Sequence, residues 1–453
     1  MSKSADAQRM EKIVSLCKRR GFIFQSSEIY GGLNGCWDYG PLGVELKRNL
    51  KNYWWRVMVH ERDDVVGMDG SILMNRAVWK ASGHEDTFSD PMVDCRSCKA
   101  RLRLDQLIDK KGVKQCPNCG GQDLTAPRAF NLMFKTFIGA SEDESSVTYL
   151  RPETAQSIFV QFKNILEISR KKLPFGIAQI GKAFRNEINP RNFTFRSREF
   201  EQMELEYFCR SEQGMELLEY WKEERLKFYE NIGISRQKLH VLTVPDDERA
   251  FYSKGTYDIE YEFPFGRQEL EGVAYRTDYD LSQHQRASGK SLEYFDEETK
   301  QKFIPHVVEP SAGVDRTVLA LICEAYTEDQ APDEKGKMET RTVLRFHPRM
   351  APIKCAVFPL LKNNEKLVAK AKEIVDLLRP HMYVFYDEGG AIGRRYRRQD
   401  EIGTPFCVTV DFETLGEKDA GLRDTVTLRE RDTMKQERFK ISELIQLLSA
   451  RIA

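Results

Sequence analysis

No stretch of the 453 residues approaches the roughly 18 consecutive apolar residues that a membrane-spanning helix needs. Neither sign of charge is in excess. The 70 basic residues face 70 acidic ones, so attraction to a polyanion is not a property of the whole chain and must come from local clusters. No apolar segment precedes the charges of Met1-Ser2-Lys3-Ser4-Ala5-Asp6, so the sequence predicts no secretory signal and a cytoplasmic location. No G-x-x-x-x-G-K-[ST] loop occurs, which excludes a P-loop ATPase as far as a motif can. Internal repeats and low-complexity tracts are also missing.

What remains is globular material: 41% hydrophobic, 31% charged and 11% aromatic. The length is a prior for about three domains, and the apolar content suffices for one large and one smaller core. Six of the ten cysteines (Cys17, Cys36, Cys209, Cys323, Cys355 and Cys407) are scattered and read as reduced thiols, mostly in cores. The other four form two pairs, Cys95/Cys98 and Cys116/Cys119, with a gap of 17 residues between the pairs. That spacing suits a four-cysteine zinc site, structural because four thiolates leave no open position. Four free thiols, or two disulfides in an oxidising compartment, are the alternatives.

Residues 9–60 read as helical, broken by the glycine-rich Tyr30–Gly35. The run Gly43–His60 carries Val44, Leu46, Leu50, Tyr53, Trp54, Val57 and Met58 near helical spacing. Val65–Met74 reads as a strand, 91–147 as an inserted module, and Arg151–Arg170 as a helix with Pro152 in its first turn. Two strands and a polar loop span 176–208. A charged helix covers Glu212–Asn231, and 255–285 is rich in strand formers. Ile304–Tyr326 is a strand running into a helix, and 327–341 a charged loop. The segment 352–453 alternates strand and helix as a separate α/β domain.

Two segments bear chemistry. Alternation along the strand from Ile177 puts Gln179, Gly181, Ala183 and Arg185 on one face. On its neighbour Phe200, Gln202, Glu204 and Glu206 share a face, with Glu201, Met203, Leu205 and Tyr207 on the other. Small residues beside an arginine leave room for a ligand. The linking loop, with Arg191, Arg196 and Arg198, suits a polyphosphate. Alone, this is equally a hairpin with a solvated charged loop. In Glu309-Pro310-Ser311-Ala312-Gly313-Val314-Asp315-Arg316, Glu309 and Ser311 share a face, and Arg316 falls in the first turn of the helix that follows. The helix dipole disfavours a cation there unless an anion joins it; a surface arginine paired with an acid is the alternative.

Taken together, Phe184-Arg185-Asn186-Glu187 with Arg198-Glu199-Phe200-Glu201-Gln202 resembles motif 2 of the class II aminoacyl-tRNA synthetases. Gly313-Val314-Asp315-Arg316, about 130 residues on, resembles motif 3. The resemblance implies an α+β fold: an antiparallel sheet flanked by helices, with the cysteine-bearing module inserted and an α/β anticodon-binding domain at the C-terminus. The corresponding ranges are 1–350 for the catalytic domain, 91–147 for the module and 351–453 for the last domain. It implies an ATP site of Arg185, Asn186 and Glu187, then Phe195, Arg196, Ser197, Arg198, Glu199 and Phe200, then Glu269 and Leu270, and finally Gly313, Val314, Asp315 and Arg316. Arg185 would hold the α-phosphate, Phe200 and Arg316 would sandwich adenine, Glu187 would meet the adenine edge, and Arg196 the γ-phosphate. Glu269 would serve ATP-bound Mg2+.

Over nearly its whole length the chain is similar to the dimeric type of glycyl-tRNA synthetase. The matching segments include Gly32-Leu33-Asn34-Gly35, Tyr39-Gly40-Pro41-Leu42-Gly43, Ala81-Ser82-Gly83-His84, Arg151-Pro152-Glu153-Thr154-Ala155-Gln156 and Glu309-Pro310-Ser311. This implies glycine and tRNA(Gly) as substrates and a homodimer. It also implies a glycine site of Arg103, Glu153, Phe200, Glu201, Gln202, Met203, Glu204, Glu309, Pro310, Ser311, Ala312 and Gly313. An anionic, small pocket suits a substrate that offers only charged ends, and larger amino acids are rejected by clash, so no editing domain is needed. One departure stands out: Ile72–Trp79, at the position of motif 1, lacks that motif's usual proline. Enzymes of the class for threonine, proline, histidine or serine are the nearest rivals. A non-catalytic nucleic-acid-binding relative is another, and the presence of Arg185 and Arg316 argues against it. Gly393-Arg394-Arg395-Tyr396-Arg397-Arg398 reads as an RNA-backbone contact or as a solvated or internally paired loop. Met1-Ser2-Lys3-Ser4 looks like a class I synthetase motif but has no His-x-Gly-His partner, and is set aside as chance.

Overall fold

Strand-forming residues alternate with polar ones from 175 to 313, and they build one seven-stranded sheet. The computed structural model describes residues 5–104, 107, 114–250, 252–332 and 336–453; Met1–Ser4 lies outside them. The strands are β1 (Val65–Gly67), β2 (Phe175–Phe184), β3 (Glu199–Cys209), β4 (Leu239–Thr243), β5 (Gly255–Phe263), β6 (Gly266–Thr277) and β7 (His306–Gly313). Their spatial order is β4-β5-β6-β7-β3-β2-β1, antiparallel except for the β1–β2 pair.

Helices α1 (Ala5–Arg20) and α2 (Pro41–Trp55) lie on one face, joined there by α4 (Gly214–Asn231) and α6 (Val314–Ala325). Their apolar stripes meet Met203, Leu205, Tyr207 and Ala312 in the largest core. The opposite face is covered at one end by α3 (Ala155–Ser169) and α5 (Tyr279–Ser288), through Ile158, Phe162, Phe175, Phe208 and Leu281. The rest of that face holds the cavity described below.

Several sequence expectations shift. The strand expected at Val65–Met74 stops at Gly67. In α2, Val44 is exposed, and Lys47 takes a buried place. Helix α3 begins at Ala155, so Pro152 precedes it instead of opening it. Arg151 explains this: its guanidinium turns inward, donating to the Lys182 and Gly70 carbonyls, and holds residues 151–153 off the helix axis. The stretch 327–341, expected as a loop, belongs to an antiparallel hairpin, Tyr326–Pro332 with Met338–Leu344. Its charges hide an alternation in which Ala331, Arg341 and Val343 point inward.

From Cys355 a second core forms around a five-stranded sheet with α7 (Glu365–Leu378) and α9 (Leu444–Ile452). The segment 392–402 is a further helix, α8 (Ile392–Ile402), so the basic run 393–398 is helical and not a loop. Arg395 is buried and donates to the Pro359 and Leu360 carbonyls, Arg397 to Pro332, and Arg398 to Asp387 and Gly389. Three of its arginines therefore serve internal pairing. Buried Asp400 on the same helix accepts from Arg341 of the hairpin at 3.0 Å and from Arg429 at 2.8 and 3.0 Å.

Candidate active site

Strand register assembles the site. Gln202 lies between Gly181 and Gly313, Glu204 lies between Gln179 and Ser311, and Ser311 in turn faces Gly272. One sheet face thus carries Phe200, Gln202, Glu204 and Glu206 from β3, Glu309 and Ser311 from β7, and Gly272, Ala274 and Arg276 from β6. A cavity of about 190 Å³ opens there, with Arg185, Phe200, Arg196, Glu269, Glu309, Ser311 and Arg316 in its wall. Residues 131 apart in sequence are brought to one cleft.

At one end of the cavity, Arg185 donates from Nε to the Pro152 carbonyl at 3.0 Å, and its guanidinium lies between the rings of Phe88 (5.4 Å) and Phe200 (5.3 Å). Arg316 lies 4.5 Å over the Phe195 ring, bonds the Phe195 carbonyl, and pairs with Glu269 at 3.2 Å. Phe195 is itself fixed against Phe263 and Phe265. Arg196 pairs with buried Glu187 at 3.2 Å. Arg198 instead ties the loop down through the Glu187 and Asn34 carbonyls, and Glu199 pairs with Lys182. Asp258, facing Gly272, is pushed up to about 7 by burial and by Glu269 and Glu260, against Arg316.

At the other end five carboxyls converge. Arg276 donates to both oxygens of Glu309 (3.0 and 2.9 Å) and both of Asp280 (2.9 and 2.8 Å). Glu204 accepts from the Ser311 hydroxyl at 2.8 Å and from Thr154. Glu153 meets His84 at 3.3 Å. Burial works to raise the Glu153 carboxyl, but His84, Arg276 and Gln156 outweigh it and hold it low. Burial and Glu153 push Glu204 up. Burial pushes Glu309 up to about 8 in spite of Arg276. Burial, then Glu309, pushes Glu206 well up.

Some expected residues stand elsewhere. Glu201 points to the opposite sheet face, paired with Lys47 (2.7 Å) and Lys51 (2.9 Å). Met203, Ala312 and Val314 are in the core behind the sheet, and Pro310 is buried on that side. Asp315 does line the cavity, although its carboxylate is committed to Tyr39, Lys47 and the Glu201 amide. Arg103 pairs with Asp90 at 2.7 Å and stands off the cavity wall. Glu153 and Glu204 sit just behind the wall, with Glu204 reached through Ser311. The space expected beside Gly181 is filled by the Arg151 guanidinium; cavity room comes from Gly272, Ala274 and Gly313 instead. Sequence reasoning gave no role to Arg276, Asp280, Asp258, His84 or Phe88. Arg276 had one available signal, an arginine on the same alternation as Gly272 and Ala274.

The four cysteine sulfurs group together, with Cys95–Cys119 at 3.6 Å and Cys98–Cys116 at 3.5 Å. Each pair closes a matched turn, Lys99 N to Cys95 O and Gly120 N to Cys116 O. The Cys98 backbone N–H draws the Cys95 thiol down to about 6, while hydrogen bonds within the group push Cys98 up to about 12 and raise Cys119, as expected of thiols crowded together. Such donors fit a tetrahedral thiolate-bound ion.

Comparison with known proteins agrees with this geometry. Residues 134–326 match a family model described as "tRNA synthetase class II core domain (G, H, P, S and T)", and residues 354–451 match "Anticodon binding domain". Fold and site therefore define a class II aminoacyl-tRNA synthetase. A Glycine--tRNA ligase from Thermobifida fusca (strain YX) is 52% identical over 99% of both chains. One from Treponema denticola is 54% identical over 98% of this chain and 97% of its own, and one from Streptomyces coelicolor is 52% identical over 98% and 99%. The chain belongs to the glycine–tRNA ligase family.

Proposed function

We propose that this chain activates glycine with ATP in the cavity between Arg185 and Arg316, then passes glycine to the 3′-terminal ribose of tRNA(Gly), releasing AMP and pyrophosphate. The observation that carries this reading is the joining, in one wall, of two arginines fit for a polyphosphate with an anionic corner at Glu309 and Ser311. The glycine carboxylate attacks the α-phosphorus, so the protein's task is to place the reactants and steady charge on phosphoryl oxygens. Arg185 holds the α-phosphate and Arg196 the γ-phosphate. Phe200 and Arg316 flank adenine, with Glu187 at its edge. Glu153, Glu204, Glu309 and Ser311 receive the glycine ammonium. Mg2+ carried with ATP would be met by Glu269, and when bound it neutralises phosphate charge.

Residues 1–350 form the catalytic domain, 91–147 a module held by Zn2+ on Cys95, Cys98, Cys116 and Cys119, and 351–453 the anticodon reader. The enzyme works as a cytoplasmic homodimer in protein synthesis. Pyrophosphate exchange into ATP, run with each amino acid separately, tests the core of it. Exchange with glycine alone is expected. No exchange with any amino acid, or exchange with serine or threonine but not glycine, overturns it.

A further inference from the structure

The buried acids hold one residue that the proposed chemistry does not use. Glu206 is fully buried, and neither of its carboxyl oxygens has a hydrogen-bond partner among the described residues. Oxygens of Glu204, Glu206 and Glu309 all lie within 4.8 Å of one another. The groups facing them are Glu204 on the same strand, Glu309 on β7, Arg276 on β6 with Tyr252 against it at 4.3 Å, Asp280 on α5, and Glu153 with His84 behind it. Five carboxyls thus share one directly bonded guanidinium, that of Arg276, and one imidazole, with the buried Arg151 guanidinium also attracting Glu204. Arg276 is spent on Glu309 and Asp280, and two hydroxyls are spent on Glu204.

Like charges this close cannot all ionise in a water-poor interior. The group without a donor is the one that keeps a proton. We propose that Glu206 is a proton-holding floor beneath the ammonium site, so that entry of the glycine ammonium expels a proton from the Glu204–Glu206–Glu309 group. The Glu206 O–H bond breaks, its proton leaves to solvent, and the carboxylate that remains balances the arriving cation. The net charge of the pocket is unchanged. This rests on the cavity being the glycine site, and it adds a residue and a proton linkage to that reading. Glu206 acts as a positioning residue, because its charge reaches glycine across Glu204 and Glu309. The consequence has a definite sign. Glycine binds the proton-depleted pocket, so its KM falls as pH rises from about 6 to about 8.

The test is calorimetry of glycine binding to the full-length enzyme at about pH 7 in phosphate and in Tris, buffers with very different ionisation enthalpies. The wild type is expected to show a buffer-dependent enthalpy corresponding to ~0.5–1 proton released per glycine. E206Q is expected to release under ~0.3 proton and to raise the glycine KM ~10-fold, with kcat moving less. Equal enthalpies in the two buffers, or E206Q releasing as much as the wild type, overturns the proposal. If E206Q does not fold, the wild-type enthalpies and the pH dependence of KM decide alone. Pyrophosphate exchange on the same sample separates the two readings. Exchange with glycine but no proton release sinks only the Glu206 role, whereas no exchange sinks the glycine site and this inference with it.

Discussion

Replacing Glu204 by glutamine should move activity and stability in opposite directions. Glu204 is buried and surrounded by Glu153, Glu206 and Glu309, and burial with its neighbours' charge raises its pKa above the ordinary carboxylate value. A carboxyl whose folded pKa is raised lowers stability at any pH above its unfolded pKa, because ionising it is harder in the fold than in the open chain. Each unit of upward shift is worth about 1.4 kcal/mol. Glutamine removes that cost at neutral pH, and its carbonyl still accepts from a Thr154 or Ser311 hydroxyl. Unfolding temperature should therefore hold or rise. Glycine binding should suffer. An ammonium hydrogen-bonded to Glu309 at the wall lies ~4 Å from the Glu204 carboxylate, and at an effective dielectric of ~20 that attraction is ~4 kcal/mol. Desolvation of the ammonium offsets part of it, leaving ~2–3 kcal/mol, or ~30–150-fold in kcat/KM for glycine. Glycine-dependent pyrophosphate exchange and thermal unfolding on the same preparation give both numbers. An unchanged kcat/KM, or a loss of activity that tracks a fall in unfolding temperature, would refute the argument.

Phe195→Leu removes the ring under Arg316 and should raise the ATP KM ~2–30-fold, with the glycine KM within ~2-fold; equal rises in both would show a general loss of fold. Purified protein should carry about one zinc per chain by metal analysis, and Cys116→Ser should lose it. Four freely thiol-reactive cysteines and no metal would sink the site. Asp400→Asn should leave Arg429 without its buried carboxylate and Arg341 with Asp329 alone, and cost ~3–5 kcal/mol; an unchanged urea midpoint would show that the pairing contributes nothing.

How much of this was legible follows from the range of each interaction. Antiparallel strands have a strict period of two, so the face shared by Phe200, Gln202 and Glu204 can be read from local alternation, as can the pairing of Glu309 with Ser311. The same rule also places Glu201 and Met203 on the far face; grouping them with the glycine ligands put contiguity ahead of alternation. Arg276, Asp280 and His84 escaped notice because they meet the acids only through strand order, which no local pattern encodes. The hairpin at 326–344 was missed for a different reason. Its inward positions include Arg341, satisfied by Asp329 and Asp400, and a buried charge does not register as part of an apolar stripe. For the basic run 393–398 the sequence leaves RNA contact and internal pairing both open, since the carbonyls that satisfy Arg395 and Arg397 come from distant segments.

The alternation on β3 also links the two halves of the site. On the cavity side Glu204 bonds Ser311, just before the turn into α6. On the far side Lys47 joins Glu201 to Asp315 at 2.7 and 2.9 Å, and the Asp315 carboxylate accepts the Glu201 amide at 2.7 Å. Asp315 precedes Arg316. The residue that positions the arginine is thus anchored to the strand that carries the acids, three residues from Glu204, by a charge-assisted network shielded from water. Burial of Lys47 would be costly alone, but Asp315 and Glu201 outweigh that burial and keep the lysine charged. A shift of α6 would break these bonds before it moved Arg316 relative to Glu204. The distance between the proposed phosphate and ammonium subsites is therefore set by side-chain contacts on the far face of the sheet. That is why Asp315, although it lies inside motif 3, reads from its contacts as part of the scaffold.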